Sequence, residues 1–341
     1  VTTCRVRSLD FPNLAEHVSG LSYPVPHGQL QTGAWSLRPP AELAVFDKIM
    51  AAGQPLGKYV NGKFFRGLLT GLNEAFELSE EQRAALLRKV PSAAPLIKPF
   101  LGGQNIRRYR IEAAGRHLIV LPNGWTRRQS GLQNTTEKQA FDWLSKTYPA
   151  IAEHLRPFAE ALRKRQDQGE FWWELRPCDY YAYLEAPKLA FPDICKSPRF
   201  SLDTTGIYLS NTAYCLGTDD RYLLGILNSR LFWFAIGHIS IPFGVRAGEY
   251  RYRLIYQYME QVPIRAIDFT DPADRARHER MVGLVESMLK LHEQLAAATT
   301  AHDKTLIQRQ IDATDRQIDT LVYELYGLTP AEIALVEGGA P

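Results

Sequence analysis

The stretch "KLAFPDICKSPRFSLDTTGIYLSNTAYCLGTDDRYLLGILNSRLFWFAIG", Lys188 to Gly237, decides the fold. It holds four short apolar runs, "KLAFPDI", "RFSLD", "GIYLS" and "AYCLG", separated by turn residues, which read as strands. The turn "DTTG" pairs two of them as a hairpin. Asp219 and Asp220 then open one strongly apolar helix, "RYLLGILNSRLFWFAIG", where acids at the N-terminus complement the helix dipole. Short strands next to helices within one region argue for an α+β class with a mixed sheet.

Upstream, residues 60–125 alternate apolar runs ("FFRGLL", "LIKPFL", "RHLIVLP") with the helix-like "SEEQRAALLRKV", whose Ser79 can cap its own N-terminus. From Pro149 to Arg165, Ile151, Leu155, Phe158 and Leu162 recur at helical spacing. Downstream of Pro263 the character changes to two long helices. Met281, Leu284, Met288, Leu291 and Leu295 form one stripe, and Ile307, Ile311, Thr314, Ile318, Leu321 and Leu325 another. The break at "AAATTAHD" lets these helices fold back as an antiparallel hairpin, a structural brace or, functionally, a docking arm. The first fifty-odd residues are rich in Pro, Gly and Ser, apart from the short helix "AELAVFDKIMAAG". The expected organisation is a connector from a missing upstream catalytic domain at 1–55, a recognition domain at 56–265, and the helical hairpin at 266–341 with a frayed "EGGAP" end.

Composition narrows the function. The 341 residues are 45% hydrophobic and 23% charged, an ordinary soluble balance. No apolar run approaches a membrane span, and the start lacks the layout of a signal peptide, so a cytoplasmic protein without a membrane partner is expected. Cys4, Cys178, Cys195 and Cys215 are scattered, without CxxC or ligand-spaced His, which disfavours structural zinc and a disulfide framework. The formal net charge is only +3, yet basic residues cluster. From Lys98 to Arg128 they are Lys98, Arg107, Arg108, Arg110, Arg116, Arg127 and Arg128, against the single acid Glu112. Arg246, Arg251 and Arg253 are interleaved with Tyr250, Tyr252, Tyr256 and Tyr258, a mixture that suits phosphates, bases or an acidic partner.

"FFRGLLTGLNEAF", Phe64 to Phe76, is not a phosphate loop. Gly67 and Gly71 have three residues between them, and no Lys-Ser/Thr follows. Its glycines instead shape a turn. Six stretches then converge: "FRGLLTGLNEAF", "LIKPFLGGQNIRRY", "KLAFPDICKSPRFSLD", "YLLGILNSRLFWF", "YRYRLIYQYMEQVPI" and "IDTLVYELYGLTPAEI". In that order, over about 40–335, they resemble the TaqI-like C-terminal specificity domain. That domain is the target recognition half of adenine-specific DNA methyltransferases and of fused type IIG restriction-modification enzymes.

The resemblance implies sequence-specific recognition of double-stranded DNA in which an adenine is methylated at N6. Methyl transfer belongs, in such proteins, to an upstream domain or subunit that binds S-adenosylmethionine, with Mg2+ needed where a nuclease is fused. This sequence departs from the full pattern: Pro39-Pro40 follows Arg38 rather than Asn, no Gly-rich cofactor turn is present, and Pro192-Asp193 lacks a nuclease Glu-x-Lys. The chain is therefore expected to hold no cofactor and to be inactive alone. The alternative is a stand-alone specificity subunit that recruits separate methyltransferase and nuclease chains. A small-molecule enzyme is disfavoured, since no pair of acids or histidines has diagnostic spacing.

Phosphate contacts need cations or small polar donors, and major-groove reading needs bidentate Arg, Asn or Gln. The "GGQNIRR" loop, with Asn105, Arg107 and Arg108 beside Lys98, is the first choice for DNA contact; internal ion pairs are the structural alternative. Lys63, Arg66, Thr70 and Asn73 form a second set, with Asn73 and Thr70 equally able to satisfy a neighbouring backbone group. Arg199 and Asn211 follow the family pattern, against a strand-end role. Arg246, Arg251 and Tyr252 complete the candidates, on a loop that Gly244 and Gly248 make mobile. Trp172 and Trp173 read as core.

Overall fold

The computed structural model of the protein describes residues 1–4, 11–25, 37–132 and 134–338. Parts of the expected connector, at 5–10 and 26–36, and the end of the expected tail, at 339–341, lie outside the described residues.

The strand-rich stretch builds an antiparallel sheet in the order Ser201–Asp203, Lys188–Pro192, Ala213–Leu216, Phe64–Arg66. A second sheet has the order Tyr208–Leu209, Ile97–Leu101, Arg116–Ile119, Glu77–Ser79, with only the Tyr208–Leu209 edge parallel. Successive side chains of a strand point to opposite faces, so a sheet covered on both sides sorts neighbours into two cores. Leu189, Phe191 and Leu216 enter one core, and Ala190 and Cys215 the other. The mixed-sheet α+β expectation holds.

The "DTTG" hairpin does not form. Ser201–Asp203 and Tyr208–Leu209 lie in different sheets, because Asp203 turns inward and organises the turn with its own carboxylate. Its Oδ1 accepts from the Thr205 N–H and hydroxyl, each at 2.8 Å, and its Oδ2 from the Ile207 N–H at 2.8 Å and from Lys188. An Asx-type turn replaces the strand-to-strand turn.

Helices cover both sheets. Ser79 and Gln82 form a reciprocal capping box that opens Glu80–Lys89, as the sequence indicates. The segment from Pro149 is less regular than expected: Pro149–Leu155 passes through a tight turn at Arg156–Phe158 before Ala159–Arg163. Pro157 has no N–H to continue the ladder. Trp172 and Trp173 are buried in the second core. The apolar helix after Asp220 is also two helices, Arg221–Leu227 and Arg230–Ile239. Asn228 breaks it by clasping both backbone groups of Phe200, at 3.0 and 2.9 Å, and Ser229 caps the second helix by accepting from the Phe232 N–H at 3.1 Å.

Pro272–Ala297 and Ala301–Leu325, joined through 298–300, fold back on each other as expected. Met281, Val285, Met288, Ile318 and Leu321 are fully buried in the same core as Leu189 and Phe191. The hairpin is thus fastened to the first sheet. Among the described residues no helix is long and apolar enough to cross a membrane.

His238 closes the Arg230–Ile239 helix, stacked on Phe46 at 4.8 Å, with Nδ1 2.9 Å from the Phe234 carbonyl. Burial, reinforced by the Arg38 guanidinium, lowers its imidazole to about 4. A folded pKa below the unfolded one stabilises the neutral form: the contribution is present above pH 6.5 and is lost as pH falls towards 4. His238→Gln is therefore expected to gain stability relative to the parent as urea denaturation is moved from pH 7 to pH 4.5. A difference independent of pH would refute the assignment.

Candidate functional site

The "FFRGLLTGLNEAF" stretch joins the two sheets. Phe64–Arg66 pairs with Ala213–Leu216, then the Gly67 N–H donates to the Ala213 carbonyl at 2.9 Å and the Leu68 N–H to that of Leu209 at 2.7 Å. A Cβ on Gly67 would stand 2.0 Å from the Ser210 carbonyl oxygen, so only glycine permits this approach. The second glycine pair reaches the same turn. The Gly103 N–H donates to Thr212 Oγ1 at 3.0 Å, and a Cβ there would meet the Thr212 carbonyl at 2.4 Å.

These contacts gather Asn73, Gln104, Arg116, Arg199, Asn211 and Thr212 around one cleft of about 440 Å³. Arg66, exposed at the strand end, donates from Nε to the Asn211 carbonyl at 3.2 Å. Asp193 shares the cleft, and burial raises its carboxyl above the usual range, although Arg253 and Arg66 pull the other way. Carboxamides and guanidiniums are the groups that read base edges bidentately, and the main-chain contacts behind them fix where they point.

The other candidates are placed differently. Thr70 is only 1% exposed, and its hydroxyl bonds Asn73 Oδ1 at 2.5 Å and accepts from the Leu72 N–H; it is a turn-former, not an offered contact. Asn73 is exposed at the cleft while its Oδ1 accepts from Thr70. Gly71 follows with φ +74°. Lys63 is exposed, 6.0 Å from the Tyr183 ring, and Lys98 pairs with Glu185 at 3.1 Å.

The "GGQNIRRY" loop is a small hairpin, Ile106–Arg107 against Arg110–Ile111, with Tyr109 left-handed at φ +59° and buried. It leans on the C-terminal helices. Arg108 pairs with Asp315 and donates to the Asn228 carbonyl, while Arg107 and Arg110 share Glu112. Arg107, Arg108 and Arg199 line a second cavity, of about 740 Å³, and Asn105 is half-buried. The first-choice loop is therefore split: Gln104, not foreseen, faces the cleft, and the arginines face the second cavity. Arg199 borders both.

Arg246 and Arg251 lie on a paired ribbon, Pro242–Arg246 with Glu249–Arg253, rather than on a loop. Ala247 and Gly248, at φ +53° and +78°, make its two-residue turn. Arg246 is exposed, with Ile241, Phe243 and Val245. Arg251 and Arg253 lie over the Phe243 ring at 5.5 and 5.2 Å. Tyr252 is 1% exposed and packs its ring edge-on against Trp233 at 5.4 Å, which removes it from the candidate surface. Strand alternation sends it inward where its neighbours point outward. Arg116, one of a basic run in the sequence, is held at the cleft by its pairing with Glu77 and its place above the Phe100 ring, at 5.3 Å.

Residues 98–264 match the TaqI-like C-terminal specificity domain, a shorter stretch than the 40–335 of the motif resemblance. No curated protein matches the chain. A structure of the type IIL restriction-modification enzyme MmeI in complex with DNA is similar over 82% of this chain and 35% of that one, with 15% identity and a TM-score of 0.48. The type IIG restriction endonuclease BpuSI is similar over 85% of this chain and 34% of that one, with 12% identity and a TM-score of 0.40. This chain spans about a third of the length of each.

Proposed function

We propose, on the premise that residues 98–264 form a TaqI-like specificity domain, that this chain selects a base sequence in double-stranded DNA. It does so as the specificity region of a site-specific adenine-N6 methyltransferase, in the manner of a fused type IIG restriction-modification enzyme. The observation that carries the reading is the cleft between the sheets, where Asn73, Gln104, Arg199 and Asn211 converge beside Arg116. Two carboxamide types and arginine at one opening provide for adenine and guanine edges. The ribbon at 242–253 is slim enough for the major groove, which admits a two-stranded β-ribbon, and its Arg246 and Arg251 suit phosphates. S-adenosylmethionine, and Mg2+ for a fused nuclease, fall to the catalytic part of such a parent; the chain alone binds duplex without methyl transfer.

Selection of bound duplexes from a random-sequence pool, followed by anisotropy titration, tests this. A defined motif is expected, with affinity falling steeply as salt rises because each neutralised phosphate releases counterions. Arg199→Gln is expected to weaken the selected site by about 10-fold and relax the preference at one position, the consequence of losing roughly 1–3 kcal/mol of base contact. Arg246→Gln is expected to weaken all sequences alike and flatten the salt slope. Enrichment of no motif would sink the reading. Methylome sequencing of a host that expresses the full gene tests the adenine assignment separately.

A further inference from the structure

The cavity between the arginine hairpin and the C-terminal helices shares Arg199 with the cleft but is otherwise lined by different residues. We infer that it is a binding site for a phosphate-bearing ligand with a flat or apolar body, a nucleotide in chemical class. Cations outnumber the acids that hold them. Arg107 and Arg110 share the single carboxylate of Glu112, and Arg108 is matched by Asp315. Among the described residues Arg199 and Lys304, both on the wall, have no ion-pair partner. Positive groups fixed around a preformed hollow repel one another until an anion enters.

Among the side chains of this wall, Nε of Arg108 is buried without a hydrogen-bond partner, an uncommon state for a donor in a native interior. Trp233, Leu295 and Ala296 add apolar lining, a surface for a ring. A volume of about 740 Å³ lies within the range of small-ligand sites. His292 stands among these groups, 5.8 Å from the Tyr109 ring; burial first, then Arg108 and Arg110, lowers its imidazole to about 4.

The inference stands independently of the duplex-reading cleft, since a mononucleotide is a ligand whether or not a base sequence is read. The full chain is titrated calorimetrically with deoxyadenosine 5′-monophosphate, deoxyadenosine, inorganic phosphate and a single-stranded octanucleotide, while the His292 imidazole is followed by NMR. The monophosphate is expected to bind more tightly than either of its parts and to raise the His292 titration midpoint. Lys304→Gln, an exposed position, is expected to weaken it about 10-fold, as befits one charge-assisted hydrogen bond. Ala296→Trp, which fills the hollow, is expected to abolish it, with circular dichroism unchanged for both variants. Octanucleotide binding that shares the Lys304 dependence assigns the phosphate to a strand; its absence assigns a free nucleotide. Nucleoside or phosphate alone binding as tightly as the monophosphate, or binding indifferent to both substitutions, overturns the inference.

Discussion

Asp203→Ala is expected to cost on the order of 3–5 kcal/mol of unfolding free energy, the range for breaking a buried ion pair from one side. Lys188 and Asp203 stand directly opposite across two strands of the first sheet, and their side chains are 0% and 1% exposed. The ammonium donates to the Asp203 carboxylate and, at 2.6 Å, to the Leu184 carbonyl. Removal of the carboxylate leaves a charge with no solvent and one neutral acceptor. It also frees the N–H groups of Thr205 and Ile207, which no longer have the turn's organising acceptor. Urea denaturation should show a lower midpoint with an unchanged slope. The pair itself need not be stabilising relative to apolar groups of the same shape, so the double variant Lys188→Met with Asp203→Leu should recover much of the loss. An Asp203→Ala midpoint within about 1 kcal/mol of the parent would show that water reaches Lys188, against the burial described.

Local patterns carried the elements, and long-range contacts decided how they join. The cap at Ser79, the dipole-matched start at Asp220 and the apolar strand run through Leu189, Ala190 and Phe191 each depend on residues within a turn of one another, so their sequence reading holds. The parting of Ser201–Asp203 from Tyr208–Leu209 depends instead on Lys188, which supplies the buried charge that turns Asp203 inward. Asn228 breaks an otherwise continuous apolar helix because Phe200, far upstream, presents both backbone groups to it. No local signal distinguishes that asparagine from one that faces solvent.

The candidate site divides along the same line. Arginine density marks the loop as a candidate, but Arg108 meets its counter-ion on a helix 207 positions later, so the loop faces the C-terminal hairpin. Tyr252 and Thr70 have the residue types of contact groups, yet strand alternation and turn geometry respectively bury them. Gln104, between Gly103 and Asn105, lines the cleft without any charge to mark it in the sequence. A neutral carboxamide next to two glycines presents a donor and an acceptor together where the backbone can approach closely.

Gly67→Ala is expected to have the second large effect, and on both stability and binding. The added methyl would stand 2.0 Å from the Ser210 carbonyl oxygen, 2.5 Å from its carbon and 2.6 Å from the Leu209 oxygen. All three are backbone atoms of the turn that links the sheets, so no rotamer change relieves the clash. The parallel bridge between Leu68 and Ser210 must part, with the bonds from the Gly67 and Leu68 N–H groups. Overpacking of this severity costs about 3 kcal/mol or more. The same displacement moves Asn211 away from Arg66 and opens the cleft, so affinity for the selected duplex should fall even at temperatures where the variant stays folded. Gly283→Ala is the matched control: its added methyl meets nothing within 4 Å, and inside the Pro272–Ala297 helix alanine should stabilise by roughly 0.5–1 kcal/mol. A Gly67 variant as stable as the parent would mean that the two sheets are not held at that crossing. One that is destabilised yet binds the selected duplex at full affinity would separate the crossing from recognition, because the cleft groups would then keep their places without it.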